Sequence, residues 1–401
     1  MINQRLSIRV TLIITLIGVL TAISTRLNAD TGTCGGTTIT LPFTDVMGNP
    51  FFCQIAEAYL TGLTNGTSAT TFSPSQDVTR DQMAAFMTRT MDRSLQRGSR
   101  RAALQQFSTP EVMGALQSVG VGIANDITSD GRYLWVTLGG RVAQVEAADG
   151  IVLRYWTGPI DARKIIVAAG RIFFTEPVYQ APGRIYVIDP SRPESPVATV
   201  FENNTGDSPF GIAFDGTYLW TANRGEISSP GSITRVRIDS ATETTFTSGF
   251  TVPFDIFWDG TSLWVTDISE RKLKRIDRTT GSVIEDIDVG ISPRSILFDG
   301  INLWVVNQGS NSISIVRPGT PSRVIQTLTG NGMDEPTDLA FDGERVIVTS
   351  QNGDRVSLFR ASDLFPLGSL STGPGSRPDN VCSDGLNFWI TRHQGSDIVR
   401  F

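Results

Sequence analysis

A mostly β chain closed into a ring of seven four-stranded sheets is the fold class the sequence predicts, and three observations carry it. First, the heptapeptide Phe214-Asp215-Gly216-Thr217-Tyr218-Leu219-Trp220 returns with little change at Ser129 to Trp135, Trp258 to Trp264, Phe298 to Trp304 and Ser383 to Trp389. Phe341 to Ile347 keeps Asp342-Gly343 with Ile in the Trp slot, and Ala169-Gly170-Arg171-Ile172-Phe173 is a shortened copy. Second, the glycines of these turns, at 131, 170, 216, 260, 300, 343 and 385, stand 39 to 46 residues apart, the period of a four-stranded propeller blade. Third, each unit alternates apolar and polar residues at strand spacing and not at helical spacing.

Each repeat reads as a short apolar strand, an Asp-Gly turn and a Leu-Trp-Val-Thr strand. A third strand such as Ser232 to Asp239 and a fourth such as Ser282 to Val289 complete it. The tryptophans at 135, 220, 264, 304 and 389 fall on second strands and are expected between blades. Each would bury about 150 to 250 Å². The last repeat stops at its third strand, Asp397 to Phe401, whereas Leu116-Gln117-Ser118-Val119-Gly120, ahead of the first repeat, matches the fourth strands. The expectation is a ring closed by this N-terminal strand, which leaves no open sheet edge. A six-bladed count fails, because Gly131 and Gly216 lie two periods apart.

The remaining chain supplies a leader and one small domain, with expected boundaries at 1–29 (signal peptide), 30–92 (small domain), 93–112 (linker) and 113–401 (propeller). Arg5 and Arg9 precede an apolar run from Val10 to Ile23, and small residues follow to Ala29, which is the pattern of a secretory signal. The run is short for a bilayer crossing, and no later segment is long and apolar enough to span. The net charge is −6 over 401 residues. Removing the three leader arginines makes the mature chain more acidic still, which disfavours nucleic acid as a partner. An exported chain favours oxidised cysteines, and Cys34 and Cys53 bracket a short loop suited to a disulfide. Cys382 sits in an apolar strand as a small hydrophobe.

In the small domain, Phe52, Ile55, Ala56 and Tyr59 hold helical spacing. Thr79 precedes a second helix carrying Met83, Phe86, Met87 and Met91, with Gln82 placed to complete a capping box. The order Phe43-Thr44-Asp45-Val46, helix, Gly62-Leu63-Thr64-Asn65-Gly66, Phe72-Ser73-Pro74 and Thr79-Arg80-Asp81-Gln82 resembles one S-layer homology motif. That resemblance implies a small helical domain. It also implies that Thr79 and Arg80 lie in a groove holding acidic cell-wall polysaccharide, a role suited to the planar, permanently charged guanidinium. Here Asp81-Gln82 departs from the usual small residue and Glu, and one copy stands where three normally build the unit. The arginine-rich stretch around Gly98 reads as a solvated linker.

Aligning the repeats predicts which residues meet at one mouth of the central channel. Leu138, Glu176, Asn223, Asp267, Asn307, Ser350 and Arg392 fall at second-strand ends, and Asn125, Lys164, Phe210, Phe254, Arg294, Thr337 and Asp379 at first-strand starts. Such a polar mouth of mixed charge, with two phenylalanines, suits a small polar ligand or a peptide loop.

The repeats resemble the exported propellers of the virginiamycin B lyase, NHL and YncE-like groups, through F-D-G-x-x-L-W-V-T and the following I-x-R-[IV]-D strand. In the lyase, histidines and an acid around magnesium perform an elimination. This chain has one histidine, His393, so that chemistry is not expected, nor is a Ser-His-Asp arrangement without it. Metal and phosphate loops are absent from the sequence, and no cofactor or catalytic residue is expected. The expected function is therefore a non-enzymatic, exported envelope protein that displays a binding propeller. The rivals are a hydrolase or lyase using Glu176, Asp267, Lys164 and Arg392 in the channel, and a purely structural surface component.

Overall fold

A computed structural model describes residues 29–34, 37–60, 63–87, 117–178, 181–193, 196–225 and 230–401. The expected leader (save Ala29), the linker 93–112 and Met91 lie outside the described residues.

Seven four-stranded antiparallel sheets form the blades of a β-propeller, each running outward from its first strand. Those first strands are Ala124–Ser129, Ile165–Ala168, Pro209–Phe214, Pro253–Trp258, Pro293–Phe298, Pro336–Phe341 and Pro378–Ser383, which number blades 1 to 7. Successive first strands contact one another around the ring, blade 7 against blade 1 included. The outermost strand of the last sheet is Gln117–Gly120, paired with Asp397–Arg400 in the register Gln117↔Arg400 to Gly120↔Asp397.

The repeat motif has a direct physical reading. In blade 5, Asp299 Oδ1 accepts the backbone N–H groups of Ile301 (2.8 Å) and Asn302 (2.7 Å), closing the Asp-Gly turn. Its Oδ2 accepts the indole N–H of Trp304 at 2.9 Å. One carboxylate therefore fixes both the turn and the ring that packs between blades. The same bond from indole to aspartate recurs at Trp135–Asp130, Trp220–Asp215, Trp264–Asp259 and Trp389–Asp384. Blade 6, with Ile347 in the Trp slot, substitutes the buried Arg345, whose guanidinium lies 2.7 Å from Asp342. All five of these indoles are fully buried.

The threonine that closes the Leu-Trp-Val-Thr strand acts at the opposite end of the blade. Thr137 donates to Arg163 O at 2.7 Å, Thr266 to Arg294 O at 2.7 Å and Thr349 to Asp379 O at 2.6 Å. Each bond reaches the start of the next blade's first strand.

The small domain differs in part from its expected all-helical form. It opens with a hairpin, Asp30–Cys34 paired to Thr37–Leu41, because that stretch is rich in β-branched threonine. A helix over Phe52–Leu60 and a helical segment over 80–87 follow. Cys34 and Cys53 form a disulfide. Gly32 is required beneath the helix, since a Cβ there would lie 2.4 Å from the Phe52 ring. Asp45 accepts the N–H groups of Phe72 (2.9 Å) and Ser73 (2.7 Å), tying the two loops together.

This domain is docked on blades 5 and 6. Ile39, Phe43, Ile55 and Tyr59 belong to one apolar cluster with Trp304, Ile315 and Phe359. Arg317 donates to the carbonyls of Tyr59 (2.8 Å) and Leu60 (2.6 Å) at the C-terminal end of the helix, where the peptide dipoles favour a cation. Asn302 adds a bond to Leu60 O at 3.0 Å.

Asp299 thus accepts from Ile301, Asn302 and Trp304 in a fully buried setting. Asp299→Ala is expected to cost about 3 kcal/mol of unfolding free energy, because it strands buried N–H groups. Urea unfolding measures this, and a loss below about 0.5 kcal/mol, the scale of an ordinary surface substitution, would contradict it.

Candidate functional site at the propeller axis

The first strands converge on an axial cavity of about 200 Å³. The residues at their starts, Asn125, Lys164, Phe210, Phe254, Arg294, Thr337 and Asp379, one from each of blades 1 to 7, all line it. The order of the blades fixes their order around the wall. Phe210 and Phe254 stand side by side with ring centroids 5.3 Å apart, Lys164 and Arg294 flank the pair, and Asp379 lies across from it. The Arg294 guanidinium stacks on Phe254 at 5.0 Å and that of Arg224 on Phe210 at 5.7 Å.

One residue further along, the strands place a second tier, with Asp126, Asp255 and Asp338 among its members. Each couples one blade to the next: Asp126 Oδ2 accepts Ile165 N–H at 2.8 Å, Asp255 Oδ2 accepts Ile296 N–H at 3.0 Å and Asp338 Oδ2 accepts Val381 N–H at 3.1 Å. Ser295 donates to the other oxygen of Asp338 at 2.5 Å. Lys164 Nζ lies 3.5 Å from Asp126 and 3.9 Å from Asp338, its side chain 27% exposed. Gly211 belongs to this tier because a Cβ would sit 2.8 Å from Asp255 Cα. These aspartates escape the sequence alignment of strand ends. Their trace in the sequence is an Asp before an aliphatic residue in Asn125-Asp126-Ile127, Phe254-Asp255-Ile256 and Thr337-Asp338-Leu339.

The second-strand ends take a different place. Glu176 accepts the N–H groups of Ile160 (2.5 Å) and Asp161 (3.1 Å) and pairs with Arg184 at 3.1 Å. Asp267 accepts Thr251 N–H at 2.8 Å, and Asn307 accepts Gly290 N–H at 3.0 Å. Arg392 donates to Thr372 O at 2.7 Å and pairs with Asp397. Asn223 bonds Ser232 (3.1 Å) and Thr234 (2.9 Å), while Leu138 and Ser350 are buried. None of these lines the cavity. For Glu176, Asp267, Asn307 and Arg392 the side chain turns away to clamp the backbone leading into the same blade's first strand, so it positions the wall without forming it.

Charge at the axis is unbalanced. Burial raises the Asp126 carboxyl to about 7 against the pull of Lys164, and burial likewise raises Asp255 to about 6. Burial works against the Lys164 ammonium, yet Asp126, Asp338 and Asp255 together outweigh it and raise its pKa. Asp379 is raised by burial, and Arg294 is lowered by burial. The Nε of Arg294 is buried with no hydrogen-bond partner among the described residues. Among the described residues, no three His, Cys, Asp or Glu side chains are placed to hold a metal ion.

Comparison with solved structures finds the same architecture in distant chains. Hydrazine synthase of Kuenenia stuttgartiensis superposes with a TM-score of 0.58 at 16% identity, over 72% of this chain and 98% of that one. The β-propeller domain of Myceliophteria thermophila Cps50 (Swd1) gives 0.59 at 11% identity, over 71% and 98%. These likenesses show the fold alone. No family model matches the sequence, and no curated protein matches it.

The raised carboxyls set a pH dependence. Folded Asp126 and Asp255 hold protons up to about 7 and 6, against 3.8 for the ordinary carboxyl, so between these values the folded state binds more protons than the unfolded chain. Their contribution to stability therefore falls as pH rises through that window. Asp126→Asn/Asp255→Asn keeps an amide oxygen for each N–H and cannot titrate. Its stability relative to wild type is expected to improve from pH 5 to pH 8 in urea unfolding, and parallel pH curves would contradict the assignment.

Proposed function

We propose that this protein is an exported, envelope-associated binding protein whose axial cavity receives a small polar ligand, with the propeller as a rigid, non-catalytic scaffold. The observation that carries the reading is the convergence of seven first-strand residues of mixed character on one cavity, held by backbone clips that leave little for a ligand to organise. The volume of about 200 Å³ lies below the roughly 300–1,000 Å³ common for drug-sized ligands, which favours a small molecule over a peptide loop.

Export is supported by the leader-like N-terminus and by the disulfide. Wall association rests on the resemblance to one S-layer homology motif. Thr79 N–H bonds Gln82 Oε1 at 3.0 Å while Gln82 N–H reaches Thr79 Oγ1 at 3.4 Å, a reciprocal cap that leaves Arg80 exposed on the first turn. In this reading Thr79 and Arg80 contact acidic wall polysaccharide.

Two measurements test the two halves. In pull-down with purified cell wall, Arg80→Ala is expected to be retained several-fold less than the mature wild type, and equal retention would remove the anchoring role. In native mass spectrometry after exposure to a small-molecule culture extract, wild type is expected to carry an adduct that Phe254→Ala loses. Identical spectra would contradict binding at the axis.

A further inference from the structure

The wall of the axial cavity carries separated, incompletely satisfied charges of both signs. Two cations, Lys164 and Arg294, face four carboxylates, those of Asp126, Asp255, Asp338 and Asp379. Arg163 also lines the cavity but is committed to Asp161 at 2.8 and 3.0 Å. The Asp379 carboxylate accepts no hydrogen bond among the described residues, although the backbone carbonyl of the same residue accepts two. Arg294 is its mirror image. It stacks on Phe254, its Nε is buried without an acceptor, and no hydrogen bond joins it to Asp379 two blades away.

A simple anion fits Arg294 but leaves the Asp379 carboxylate on the opposite wall without a counter-ion. A simple cation fits the carboxylates but leaves the Arg294 guanidinium, which pairs with no carboxylate among the described residues, without a counter-ion. A molecule with both charges answers both shortages. The Phe210–Phe254 pair adds an apolar wall between Lys164 and Arg294. At about 30 Å³ per water, the cavity holds the equivalent of six or seven waters, the scale of a small amino acid.

We infer that the axial cavity binds a small zwitterion of the α-amino-acid type, its carboxylate on Arg294, its ammonium toward Asp379 and the second-tier aspartates, and its side chain against Phe210 and Phe254. This rests on the axial-binding reading above and adds the ligand class.

The test is isothermal titration of the mature protein with L-alanine, L-serine and L-leucine, alongside ethylamine, propionate, L-alaninamide and a neutral monosaccharide. The amino acids are expected to bind at least ten-fold more tightly than any singly charged or neutral probe. Arg294→Gln should weaken L-alanine binding at least ten-fold while leaving ethylamine unchanged, and Asp379→Asn should weaken L-alanine while leaving propionate unchanged. Neither side chain holds backbone in place, so both variants should keep the wild-type melting temperature. If one does not, the wild-type panel decides alone. Propionate, ethylamine or the sugar binding as tightly as L-alanine would overturn the zwitterion while keeping the axial site. No binding by any probe would overturn both.

Discussion

One carboxylate shared between a turn and a tryptophan is the interaction on which the rest of this structure depends. Five of the seven blades repeat it, through Asp130, Asp215, Asp259, Asp299 and Asp384, each gripping an indole N–H. A Trp buried between blades contributes a large apolar area but carries a donor that must be satisfied. Placing the acceptor in the turn that starts the same strand satisfies it locally and sets the strand register at once. Blade 6 keeps the aspartate and exchanges the partner for Arg345. Blade 2, which lacks the aspartate, packs Phe173 and Phe174 instead, whose rings need no acceptor.

With register set at that end, the opposite end of each blade is free to define a cavity. The threonine hydroxyls and the aspartates of the second tier both reach from one blade to the backbone of the next, so the axial wall is organised by contacts between blades. A consequence is that carboxylates are gathered at the axis for structural reasons, and the cost of burying them there is visible in the raised Asp126 and Asp255. Structure and recognition are linked here. The same carboxylates that join neighbouring blades create the electrostatic field a ligand would meet.

Much of this was legible in the sequence, and the boundary of legibility is physical. The Asp-Gly turn and the Trp lie within a few residues of each other, so their spacing announces the blade. Repeat alignment alone puts the first-strand starts at the axis, and Lys164, Arg294 and Asp379 line the cavity. Alignment placed Glu176, Asp267, Asn307 and Arg392 at strand ends, but a strand end has two directions to aim a side chain. These four aim at the backbone leading into their own blade. The docking of the small domain was not legible, because its apolar face pairs with Trp304 and Phe359 some 250 to 300 residues away in sequence.

Bonds between neighbouring blades preorganise the axial wall. Amide-resolved hydrogen exchange measures it directly, at the N–H groups of Ile165, Ile296 and Val381, which donate to the second-tier aspartates. All three are expected to exchange only by global unfolding, with a common free energy. Exchange at these amides as fast as in the surface turns would show a wall that opens locally and would contradict preorganisation by these bonds.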